Sequence, residues 1–361
     1  MTAFVIAARR SAVVPRGGAF ARLSIEDIAA PVLRACLHDA GLEAGQVDEV
    51  ILSNALGAGG NPARRVALAA GLPDRVAGLT IDRQCAGGLD ALLLARAMVA
   101  SGMAEVVLAG GAESYSRRPL RLRTDPDGGQ PVPYDQPPFT PWPGRDPAMA
   151  QAAADLAQRL GLSRAAQDAW AVQSHARAMV ADTGHMVDIA GIARDPFARA
   201  LTMGVAARAK VLTGSITAAN AAVAADGAAF CLVVSARMAS SAVQALRIAG
   251  GCTLGADPAE PGLAPVPAIA ATLAAAGLRA AGLARAEVME AYAAQAMACV
   301  QGAGLDPACV NRNGGALARG HPIGASGAVL AVQMFHDLRA GHGMAAIAAA
   351  GGLGTAVLFE A

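Results

Sequence analysis

Cys85 stands in IDRQCAGGLDALLLARAMVASG (residues 81–102), where a strand-like run meets a long apolar stretch. Gly87 and Gly88 follow it closely. A sulfur at the start of a helix faces unpaired first-turn N–H groups and the positive end of the helix dipole. Both lower a thiol's pKa, so the position suits a nucleophile, and the same N–H groups can hold an oxyanion. The two glycines are expected to leave room beside the sulfur for a bulky reactant. Apolar residues surround the helix axis, interrupted only by Asp90 and Arg96, so the helix is expected to be buried on all sides. Most cysteines in such settings only pack. Cys36, Cys231, Cys252, Cys299 and Cys309 are read that way.

A thiol nucleophile needs a base. The best candidate is His321 in NRNGGALARGHPIGASG (311–327). Glycines surround it and Pro322 stiffens its exit, so the loop offers backbone access and no packing reason for an imidazole. His38, His175, His185, His336 and His342 occur in helical or surface-like contexts and are read as solvent-facing.

The elements that must position these two residues alternate. VDEVILSNAL (47–56) reads as a helix end and then a strand, and AEVVLAGGAES (104–114) as a strand ending on a Gly-Gly turn. With the Cys85 helix between them, they predict α/β layers around a largely buried sheet. Residues 117–147, rich in proline, glycine and arginine, form an irregular excursion. Helical spacing returns over 149–182, with Ser163 as a cap. Residues 119–212 are therefore read as an insertion covering one face of the core.

ASGMAEVVLAGG (100–111) and AGHGMAAIAAAGG (340–352) echo each other. Superposing their Gly-Gly pairs sets an offset of 241 residues and puts Cys85 on Ser326. Two related halves would then bring two helix N-termini to a shared seam.

Composition sets the bounds. The 361 residues are 54% apolar and 16% charged, with net charge +1, which suits a large core and gives no electrostatic case for nucleic acid or an anionic membrane. Six cysteines without a CxxC pair suggest neither zinc nor a disulfide framework, and fit a reduced, cytoplasmic setting. MTAFVIAARRSAVV places apolar residues before basic ones, the reverse of a signal peptide, and FVIAA reads as a first strand. No run has the length of a membrane span.

Several motifs, in order, resemble the thiolase family from about residue 3 to the end. NPARRVALAAGLP (61–73) is similar to the family segment before the nucleophile, and IDRQCAGGLDAL to VNxxCxSGLQA. AGGAESYS (109–116) resembles AGGxESMS, and SITAANAAVAADGAA (215–229) resembles TVTAGNASxxNDGAA. GGALARGHPIGASGA (314–328) is close to GGAIAxGHPxGxSGA. The resemblance implies a five-layered αβαβα fold of two similar βαβαβαββ halves plus an inserted loop domain. Residues 1–118 with 213–244 would carry the nucleophile, 119–212 would be the insertion, and 245–361 would carry the base. The chemistry implied is acyl transfer, with Cys85 acylated, His321 as base, and the N–H groups of Cys85 and Ala350 as oxyanion donors. A coenzyme A thioester would be the substrate, near Met149 and Ala222, with no permanently bound cofactor and no metal. A homodimer is implied. The segment that makes tetramer contacts in the family is not recognisable in 117–147.

Other family positions differ. AAAGGLG (348–354) puts Ala348 where the family has a second cysteine, which moves a proton at the α-carbon of the second substrate. MEAY puts Met289 at an asparagine that orients an oxyanion-site water, and Tyr292 at a phenylalanine. Ala148 takes the place of a histidine, and Ala222 that of a serine facing the coenzyme. Acylation of Cys85 keeps its parts. C–C bond chemistry loses a proton carrier worth about 10²–10⁴-fold. Two readings stay open: an acyltransferase with an altered second half-reaction, in which Cys299 or Cys309 could replace the missing thiol, and a non-catalytic subunit that binds an acyl-CoA or a partner.

Overall fold

The FVIAA run does open the first strand, Ala3–Ser11 (β1). A computed structural model describes residues 2–57 and 59–361. After β1 come Ile25–Ala40 (α1), Glu49–Ser53 (β2), Pro62–Ala69 (α2), Leu79–Ile81 (β3), Gly87–Ser101 (α3) and Val106–Glu113 (β4). An excursion follows that holds Met149–Arg159 (α4) and Arg164–Val180 (α5), before Ala225–Ser235 (β5) closes the half. The second half runs Leu246–Gly255 (β6), Pro265–Ala275 (α6), Leu283–Val288 (β7), Ala293–Gly302 (α7), Ile323–Asp337 (α8), His342–Ala349 (β8) and Leu353–Glu360 (β9). A single bridge, Ala286 to Val310, stands where the first half has β3. Both halves thus follow βαβαβαββ.

The strands lie in the order β7-β8-β9-β6-β1-β5-β4-β2-β3. The halves join where Phe4 and Val5 of β1 pair antiparallel with Arg247 and Leu246 of β6. Strand periodicity sorts side chains into layers. Leu232 of β5 turns outward to join Ile28 and Leu33 of α1, whereas its neighbours Cys231 and Val233 turn inward to Leu89 and Leu92 of α3 and Val332 of α8. On the far side, Ile269 of α6 and Val300 of α7 cover Met344 and Leu358. Helices, sheet, helices, sheet and helices make the five expected layers, with α3 and α8 in the middle.

Glycine lets those central helices touch backbone to backbone. A Cβ on Gly88 would collide with the Ala328 nitrogen, and one on Gly327 would lie 2.6 Å from the Leu89 nitrogen. A Cβ on Gly87 would strike the Ser53 hydroxyl. Gly87 and Gly88 are therefore close-packing residues rather than space left for a reactant. Gly110 and Gly111 are likewise not a turn. They lie inside β4, where a Cβ would collide with the Ala229 and Gly324 carbonyl oxygens.

That corrects the register of the internal echo. Helix α8 begins 236 residues after α3, and β8 begins 236 residues after β4. At that spacing Cys85 corresponds to His321, not Ser326. The Gly-Gly pairs misled because one is inside a strand and the other, Gly351-Gly352, forms a turn at φ 80° and 75°. Helix α3 is also not buried on all sides, since Leu94 is 40% exposed. In the insertion, Ser163 caps α5 by accepting from the Ala166 N–H at 3.2 Å, as its type suggests. Among the described residues, no helix is long and apolar enough to cross a membrane.

Gly88→Ala should lower unfolding stability by about 1–3 kcal/mol, the usual range for overpacking a core. A denaturant titration reads this directly, and an unchanged midpoint would show that the helices can part at no cost.

Candidate active site

Local structure explains how Cys85 is presented. It sits in the turn Gln84–Ala86 that leads into α3. Gln84 has a left-handed backbone, φ 50°, unusual for a residue with a side chain. Asp82 holds this shape by accepting from the Gln84 N–H at 2.8 Å and its side-chain amide at 2.9 Å. The opposite half delivers His321. Its N–H donates to the Val223 carbonyl at 2.7 Å, it bridges Ala224, and Pro322 then starts α8.

The two side chains meet, with His321 Nε2 3.1 Å from Cys85 Sγ. Ser326 assigns the tautomer. Its hydroxyl donates its single hydrogen to the Pro322 carbonyl at 3.1 Å, so it accepts from His321 Nδ1–H at 2.6 Å. Nε2 is then bare and faces the thiol. Sequence reading met Ser326 only as a false partner for Cys85. The usable signal was its place five residues after His321, in the first turn of the helix that His321 precedes.

The electrostatics differ from expectation. Burial pushes the Cys85 thiol up to about 12, against the pull of its own N–H and that of Ala350. Loss of water outweighs the helix start, whose N–H groups are partly used: Ala86 donates to Arg83 and Gly87 to Gln84. Burial also lowers His321 to about 4. Both shifts favour a thiol and a neutral imidazole over an ion pair. Nearby Glu113, missed as a site residue, is pushed up to about 7 by burial. It accepts from the Asn54 amide at 2.6 Å, from the Ala55 N–H at 3.1 Å, and from the Gly324 N–H at 2.9 Å. One carboxyl thus ties the β2 exit to the start of α8.

A cavity of about 320 Å³ opens over the sulfur. Cys85, His321, Ala348, Ala350, Met149 and Ala222 all line it, as does Tyr292. Burial, and then the neighbouring Cys85, push the Tyr292 phenol up to about 12. Met289 is not in this wall. It is buried in the central core beside Ser326 and Val329. Cys299 and Cys309 belong to the outer core of the second half and do not line the cavity. Two histidines read as solvent-facing, His175 and His185, are buried. A larger surface hollow of about 520 Å³ holds Asp257 and Glu260, but arginines 145 and 159 pair with them and no nucleophile faces it. No group of three or more acidic, histidine or cysteine side chains suited to a metal occurs among the described residues.

A neutral thiol hydrogen-bonded to a bare imidazole nitrogen can attack a carbonyl while losing its proton, and the N–H groups of Cys85 and Ala350 can face the developing oxyanion. Two matched halves with such a pair at their seam define a thiolase-type acyltransferase. The thiolase N-terminal domain model matches residues 3–237 and the C-terminal domain model residues 242–361. The chain belongs to the thiolase family. It is 38% identical to an acetyl-CoA acetyltransferase of Pseudomonas aeruginosa, over 98% of both chains. The crystal structure of the Bacillus anthracis acetyl-CoA acetyltransferase superposes with a TM-score of 0.92 at 33% identity, covering 99% of this chain and 98% of that one. The Ascaris suum Acat5 thiolase in complex with coenzyme A gives 0.92 at 26% identity, over 100% of both chains.

Because His321 must be neutral to accept a proton, the acid limb of Cys85 acylation should have its midpoint at about 4. A pH profile of single-turnover acylation measures it, and a midpoint at 6.5 or above would contradict a dehydrated imidazole.

Proposed function

We propose that the protein takes an acyl group from an acyl-CoA onto Cys85, with His321 as base, and passes it to a second substrate. The supporting observation is the 3.1 Å contact between Cys85 Sγ and His321 Nε2, with the tautomer set by Ser326. In the first half-reaction a bond forms between Sγ and the acyl carbon, and the bond from that carbon to coenzyme A sulfur breaks. The thiol proton moves to Nε2 and then to the departing thiolate. Met149 and Ala222 would flank the coenzyme arm in the same cavity. Nothing is held between turnovers: the coenzyme comes and goes as substrate.

The second half-reaction is where this chain departs from its family. Ala348 presents a methyl group to the cavity where the family pattern has a thiol. Cys299 and Cys309 point into another core, so neither replaces it. C–C thiolysis should therefore be slow, and acceptors that need no proton moved at carbon are favoured. A non-catalytic acyl-CoA-binding subunit would have no use for a bare Nε2 against a thiol, and that contact argues for the enzyme.

In this reading residues 1–118 with 213–244 and residues 245–361 are the two working halves, and 119–212 covers the cavity. A cytoplasmic homodimer is proposed. Its seam would be the edge strand β3, where Leu79 is 43% exposed, since an open apolar edge invites a second copy.

Incubation with an acyl-CoA panel should give an acyl adduct on Cys85 and release coenzyme A. Cys85→Ala should abolish both, and His321→Ala should slow acylation by about 10²–10⁴-fold. No adduct with any thioester would favour the non-catalytic reading. Ala348→Cys should raise thiolysis of a 3-ketoacyl-CoA by a similar factor of about 10²–10⁴. Wild-type thiolysis at an ordinary kcat of about 1–10³ s⁻¹ would remove the weight placed on Ala348.

A further inference from the structure

We infer that the end of the Cys85 cavity walled by residues 115–139 receives a carboxylate carried on the acyl chain, with Arg121 as its principal ligand. The substrates would be thioesters of dicarboxylic acids. This rests on the acyl transfer proposed above.

Arg121 lines the same cavity as Cys85. A guanidinium has five N–H donors. Among the described residues Arg121 uses one in a hydrogen bond, from Nη2 to the Ala55 carbonyl at 3.1 Å. Asp135 lines this end of the cavity as well, and Arg118 pairs with it. Its carboxyl is lowered first by the hydrogen bond from Arg118, with the charges of Arg16 and Arg121 adding to the effect. Arg16 and Arg118 also lie 5.5 and 4.7 Å over the Tyr115 ring, which forms part of the cavity wall. Three guanidiniums thus act on one aspartate, and of the three it is Arg121, not paired to it, that lines the cavity.

The position is also fixed. Ala55, which anchors Arg121, donates its own N–H to Glu113, the carboxyl that braces the start of the His321 helix. Leu56, Pro137, Phe139 and Ile323 line the cavity as well. Apolar walls with a pre-placed forked cation match a methylene chain that ends in a carboxylate, because arginine pairs with that group in two parallel hydrogen bonds.

Succinyl-CoA and butyryl-CoA have chains of equal length and differ in the terminal carboxylate. Two measurements use them: the acyl-Cys85 adduct by mass in the full-length protein, and binding by calorimetry to Cys85→Ala, which cannot react. The binding arm stands even if no thioester acylates Cys85, so failure of acyl transfer and failure of this inference are told apart. Succinyl-CoA is expected to be favoured by about 10- to 100-fold, the range of a charge-assisted hydrogen bond. Arg121→Met should erase that ratio, and Arg121→Lys should keep part of it, with thermal melts checking that both variants fold. A wild-type preference for butyryl-CoA overturns the inference, as does a ratio unchanged in Arg121→Met. Equal weakening of both thioesters in Arg121→Met, absent with the matching acyl-pantetheines, would place the anion on the coenzyme phosphates and overturn it too.

Discussion

The structure depends on one approach: α3 and α8 meet backbone to backbone at Gly88 and Gly327. Neither helix could come so near its partner with a side chain at that crossing. The contact sets where each helix starts, and the residues just before those starts are Cys85 and His321. The sheets outside hold the helices in place, and Glu113 links the end of β4 to the first turn of α8. The short distance between sulfur and imidazole is therefore a product of the core, not of the loops that carry the two groups.

The same closeness decides the electrostatics. Partial burial at the floor of the cavity raises the thiol and lowers the imidazole. Both effects favour the uncharged forms. A resting ion pair would have to survive in a low-dielectric site, which is costly unless other groups share its charge. With neutral partners, the proton moves only when a carbonyl carbon is there to accept the sulfur's electrons. Ser326 matters here because it sets which imidazole nitrogen is free, and so the direction in which the proton can travel.

The sequence made the layers, the halves and the two central residues readable for identifiable reasons. Apolar runs of strand length and helix length alternate, and each half repeats them. Cys85 and His321 stand out because glycine-rich surroundings give neither a packing role. What could not be read was the meaning of individual glycines. Gly87, Gly88, Gly110 and Gly111 all look like room or turns in one dimension, and all are close approaches in three. The thiol's pKa failed for a related reason: a helix start is visible in sequence, but the dehydration that outweighs it comes from elements far along the chain. Arg121 and Glu113 were not singled out, because their meaning depends on contacts with residues 54–56.

Because Cys85 and His321 occupy matched positions 236 residues apart, the site has a bearing on its own origin. An ancestor with two identical halves would have set thiol against thiol, or imidazole against imidazole. Neither arrangement can hand a hydrogen from sulfur to nitrogen. A strictly repeated molecule would have the scaffold and the meeting point without the chemistry, which needs the two halves to differ at this place. That one difference sets a donor on one side and an acceptor on the other.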